Sequence, residues 1–116
     1  MNYFETILHN AEMIGWTFLF RRSGSVLVKP DVFKIELTHG GDENYETADE
    51  LVQLINGWYT AYSNAIKNVE NGKITTGFEK KIMTSIQDFA DAVRIKTELE
   101  ILKEIIDPVV KNNPRI

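Results

Sequence analysis

RIKTELEILKEII, residues 94–106, is the stretch on which the fold turns. It lies inside a helical pattern that opens at Gly77 and meets Pro108, which disfavours helix in the residue before it. The pattern predicts one helix over about residues 77–107. With Ile82 set at 0° and each residue advancing about 100°, Phe78, Ile86, Phe89 and Val93 fall within about 40° of it. On the same wheel Ile95, Leu99, Leu102 and Ile106 fall at about 200° to 260°, and Ile101 and Ile105 at about 100° to 140°. The apolar stripe therefore changes sides. Lys96, Glu100, Lys103 and Asp107 take over much of the arc that the first stripe used.

A straight helix of that length runs about 45 Å, whereas a compact domain of this size has a radius of gyration of about 13 Å and a diameter near 35 Å. The second half is expected to overhang. In one reading the helix breaks around Arg94 to Thr97 and its end folds back onto the first helix or the open side of the domain. In the other it runs on and pairs with the same element of a second copy. Ile95, Leu99, Leu102, Ile105 and Ile106 are then the expected interface of a homodimer, because spacings of four and three suit coiled-coil packing. Residues 94–110 are set apart on this ground as a dimerisation or fold-back segment.

Working outward, the rest of the chain reads as one domain. At 116 residues, 43% hydrophobic and 26% charged, it is long enough to bury a core and too apolar to stay disordered. NYFETILHNAEMIG places Phe4, Ile7, Leu8, Ala11 and Ile14 on one face of a first helix over about residues 3–13, with Asn2 and Glu5 as the start signal and Gly15 as the stop. WTFLFRRSGSVLVKPDVFKIELT then alternates β-branched and aromatic residues with two turns, which predicts a three-stranded meander. The expected register pairs Val28 with Phe33 and Val26 with Ile35, and a first loop with Gly24 at positive φ puts Phe20 opposite Val28. Phe18, Phe20, Val28, Phe33, Ile35 and Leu37 would share a face. Thr47 and Glu50 have the pattern that opens a second helix, whose stripe runs through Leu51, Leu54, Ile55, Trp58, Tyr62, Ala65, Ile66 and Val69. Asn71-Gly72 closes it, and Thr76 with Glu79 opens the next. The fold class is α+β, in the order α-β-β-β-α-α, with the meander packed against helices and a long C-terminal helix.

Functional signals are fewer. The absence of cysteine removes disulfides, thiolate nucleophiles and cysteine zinc sites. His9 reads as a structural residue, and His39 beside Gly40, Gly41, Asp42 and Glu43 follows no known ligand spacing. No metal and no cofactor is expected. The serines lie in no nucleophile elbow and Asp88 and Asp91 read as charges on a polar helix face, so no enzyme is expected. MNYFETILHN lacks a secretory pattern and no run of about 18 apolar residues exists to cross a bilayer, which predicts a cytosolic protein without a membrane partner.

Charge is the remaining signal. Net charge is −4, but residues 36–50 carry −6 and the rest +2. Asp42, Glu43, Glu46, Asp49 and Glu50 are the expected contact for a basic protein partner, as in a small acidic regulatory, accessory or inhibitor protein of the bacterial or phage kind. The competing expectation is a nucleic-acid-binding module through Arg21, Arg22, Lys29 and Lys34. Helix, three strands, helix across about residues 3–69 resembles double-stranded RNA-binding domains in element order alone. Such domains are basic at the start of their second helix, where this chain reads TADE. Net acidity disfavours phosphate, and nucleic acid is the less expected partner.

Overall fold

The computed structural model describes residues 2–38 and 45–113, in the order α1 (Tyr3–Met13), β1 (Thr17–Leu19), β2 (Val26–Lys29), β3 (Phe33–Glu36), α2 (Tyr45–Glu70), α3 (Gly77–Ile82) and α4 (Ile86–Lys111). The three strands form an open antiparallel sheet in the order β1-β2-β3, so the chain is α+β with a long C-terminal helix. Several boundaries follow the sequence signals. Asn2 accepts the Glu5 N–H at 2.8 Å and caps α1. Gly15 and Gly72 both hold positive φ behind helices. Thr76 and Glu79 make the reciprocal capping box that opens α3. Helix α2 begins at Tyr45, two residues ahead of the expected Thr47 cap, and the Glu50 carboxylate instead receives the Thr38 N–H at 3.1 Å.

The sheet register differs from the expected one. Leu27 pairs with Ile35 and with Phe18, and Lys29 pairs with Phe33. Side chains opposite each other share a face, so Phe18, Leu27 and Ile35 point into the core together. All three are buried, whereas Phe20 is half exposed. The turn explains the slip. Asp31 adopts a left-handed φ of 62° and Val32 N–H closes on the Lys29 carbonyl, which leaves three loop residues, not four, between the strands.

The C-terminal region corrects the sequence reading most. Expected as one helix, it is two, and the interruption falls at residues 83–85, not at 94–97. Met83 ends α3, and Ser85 caps α4 by accepting the Asp88 N–H at 3.0 Å. From Ile86 the helix is continuous through 94–97 and past Pro108, which costs one backbone hydrogen bond in the last turn while Val109 and Val110 pack on the core. Its buried line is Ala92, Leu99, Leu102 and Ile106, with half-buried Ile95 and Val109 in step. That line never changes sides. Of the expected first stripe, Ile82 is buried with Phe78 and Phe89 packed beside it, whereas Ile86, 91% exposed, and Val93, 38% exposed, point largely to solvent.

Nor does the second half of the helix stand free of the domain, although the body, at 45 × 29 × 23 Å, is longer than the expected diameter of about 35 Å. Leu99, Leu102 and Ile106 join Phe4, Ile7, Trp16, Leu27, Ile35, Leu51 and Ile55 in one core between the sheet, α1 and α2. A smaller cluster of Ala65, Ile66, Ile82 and Ala92 closes the other end. No helix among the described residues is long and apolar enough to cross a membrane.

Candidate functional site

The residues expected to act together are scattered. Leu99, Leu102 and Ile106 lie in the chain's own core, fully buried, with Ile95 and Ile105 partly covered beside them. The seam expected between copies is, at those three positions, intramolecular packing. Asp42 and Glu43 lie outside the described residues. Glu46 is exposed, whereas Asp49 and Glu50 are half buried in the first turns of α2. Among the basic residues, Arg21 and Arg22 are exposed on the β1–β2 connection and Lys34 on β3. Lys29 is separated from Lys34, because Lys34 pairs with Val28, and neighbouring strand positions face opposite ways. The Lys29 ammonium donates to the Ile14 carbonyl at 2.5 Å and pairs with Glu98 at 3.2 Å, tying β2 to the end of α1 and to α4.

A different constellation is built. Where β3, α2, α3 and the start of α4 meet, a groove of about 410 Å³ is lined by Phe33, Trp58, Tyr62, Phe78, Lys81, Ile82, Asp88, Asp91, Ala92 and Ile95. Trp58 and Tyr62 stand four residues apart on one face of α2, Phe33 opens β3, and Phe78 comes from the first turn of α3. Phe33 stands at 80° to Trp58 and 87° to Tyr62, with ring centroids 5.5 and 5.6 Å apart. Phe78 adds a third near-perpendicular contact, at 5.0 Å and 78° to Tyr62. Edge-to-face packing of this kind fixes the rings against one another. Burial among them pushes the Tyr62 phenol above its ordinary pKa. Trp58 keeps 37% of its surface open.

The opposite wall carries charge. Asp88 and Asp91 lie three residues apart on α4 and share the groove-facing side. Asp91 is steadied by the Gln87 amide, which donates to its carboxylate at 2.7 Å. Neither aspartate has an ion-pair partner among the described residues. Lys81 stands on the rim and Arg94 lines a smaller hollow of about 200 Å³ that continues past Asp91 to Asp31. No known protein family, curated protein or solved structure matches this chain.

The same region contains a structural carboxylate that is easily mistaken for a functional one. Glu79 is buried and has its carboxyl held at a pKa of about 2 by the Asn68 amide at 2.6 Å, then by the Thr76 and Thr75 N–H groups at 2.9 Å each. All its partners are local, so it fastens the α2–α3 connection. Sequence reasoning missed the groove because its rings fit helical stripes and its aspartates fit a polar face. Four elements must be assembled before they become neighbours.

Proposed function

We propose that the chain is a non-enzymatic interaction protein, regulatory in character and cytosolic, that binds a basic segment of a partner protein in the aromatic groove. The observation that supports this most is the pairing of an open ring wall, Trp58, with two carboxylates, Asp88 and Asp91, that are not ion-paired among the described residues. Rings attract cations through their negative faces, and two carboxylates without an ion-pair partner among the described residues add negative charge beside them. Among the described residues the lining contains no serine, cysteine or histidine to serve as nucleophile or imidazole base. Net charge of −4 adds long-range attraction for the same partner. The acidic segment expected from the sequence to make the contact becomes an auxiliary, with Glu46 its exposed described member.

The nucleic-acid reading has less support. Lys29 is held by Ile14 and Glu98, which leaves Arg21, Arg22 and Lys34 without a further basic neighbour from that set. A direct test is fluorescence anisotropy with labelled peptides of equal length, one basic, one neutral and one acidic, with a duplex oligonucleotide as competitor. The proposal expects retention of the basic peptide, weakening with salt, and loss of binding in the Asp88→Asn, Asp91→Asn double variant. Equal retention of all three peptides, or full competition by the duplex, would rule it out.

A further inference from the structure

Accepting the groove as the binding surface, we infer that the group it recognises is the guanidinium of an arginine side chain in that partner segment, stacked on Trp58 and hydrogen-bonded to Asp88 and Asp91. The choice between the two basic side chains is decided by desolvation and shape. Four of the ten described lining residues are aromatic and three more are aliphatic, so an occupant exchanges part of its water for apolar contact. An ammonium is a compact, strongly hydrated point charge, whereas a guanidinium is planar, weakly hydrated and able to lie flat on an indole. The groove suits the second on both counts.

The carboxylates point the same way. Two acids three residues apart on one helix face offer acceptors to a donor fork, and a guanidinium presents five N–H groups in a fixed plane where an ammonium presents three around a point. Lys81 shares the lining without an ion pair to either aspartate among the described residues, so the groove keeps an excess of negative charge for a cationic guest. Arg94 lines the adjoining hollow, which also touches Asp91, whereas Asp88 lines the groove alone and is the cleaner recognition contact. About 410 Å³ is room for a whole arginine side chain with part of its main chain, and the opening toward Asp31 and Val32 gives the flanking residues an exit.

The test uses the full chain labelled with nitrogen-15 and three peptides of one sequence that differ at a single central residue, arginine, lysine or citrulline. The Trp58 and Trp16 indole N–H signals are assigned with Trp58→Phe. Trp16 is 1% exposed and serves as the internal control. The expected result is a shift of the Trp58 signal with the arginine peptide, an affinity at least fivefold tighter than for lysine, and no saturable shift with citrulline. Asp88→Asn should weaken the arginine peptide about tenfold, a change on a half-buried polar side chain that leaves both core clusters intact. Lysine binding as tightly as arginine while still moving Trp58 would overturn the guanidinium and leave the groove. Shifts confined to residues 46–50, or no shift with any peptide, would overturn both.

Discussion

Replacing Leu102 with alanine should destabilise this chain severely, and replacing Ile86 with serine should hardly matter, although the sequence alone places Ile86 on a buried stripe and Leu102 on a second stripe that folds back or pairs with another copy. Leu102 has no exposed surface and sits in the largest apolar cluster, whereas Ile86 is 91% exposed. Truncating a fully buried leucine removes its transfer free energy and leaves a cavity, together about 3 kcal/mol within a usual range of roughly 2–5. For a domain of this size that is a fall in Tm of order 15 °C, or a urea midpoint lower by about 1.5 M with the slope unchanged. A surface change such as Ile86→Ser stays within about 0.5 kcal/mol. Both are read by urea unfolding followed by circular dichroism. A cost below about 1 kcal/mol for Leu102→Ala, or a larger cost for Ile86→Ser, would refute the placement of α4.

Three further outcomes follow from single residues. Glu79 has a depressed pKa, so its contribution to stability is complete above the ordinary value of 4.5 and fades as pH falls toward about 2; the stability gap between the native chain and Glu79→Gln should close across that window in unfolding at stepped pH, and a constant gap would contradict the assignment. Gly24 holds a φ of +126° and a Cβ there would lie 2.5 Å from the Leu37 carbonyl oxygen, so Gly24→Ala should lower stability by at least about 2 kcal/mol in a thermal melt. Lys29→Met keeps the side-chain stem but loses the Ile14 carbonyl and Glu98, an expected cost of about 1–3 kcal/mol in urea unfolding with peptide binding unchanged.

Local chemistry made much of the fold legible in the sequence. Asn2 with Glu5, Gly15, Gly72 and Thr76 with Glu79 act within a few residues of themselves, and each marks the boundary that its chemistry implies. Register was not legible, because Val26, Leu27 and Val28 are all apolar and period-two alternation does not say which of them faces inward. The two C-terminal helices look like one in the sequence for a related reason. Ile86 and Val93 are apolar yet exposed, and in line with buried Ile82 of α3 they make the continuous line of Ala92, Ile95, Leu99, Leu102 and Ile106 in α4 look like a second stripe. Ser85 three residues before Asp88 was the available signal for the break, the same spacing as Thr76 and Glu79. The groove had no local signal at all. Phe33 is about 25 residues from Trp58 and about 55 from Asp88, and only the packing of β3, α2, α3 and α4 makes them one surface.

Intermolecular nuclear Overhauser contacts distinguish a basic segment bound in this groove from one bound on the acidic start of α2. With the arginine peptide bound to the labelled chain, contacts should run from the peptide's side-chain methylene protons to the ring protons of Trp58 and Phe78. Contacts to residues 46–50 instead, with none to those two rings, would contradict the account.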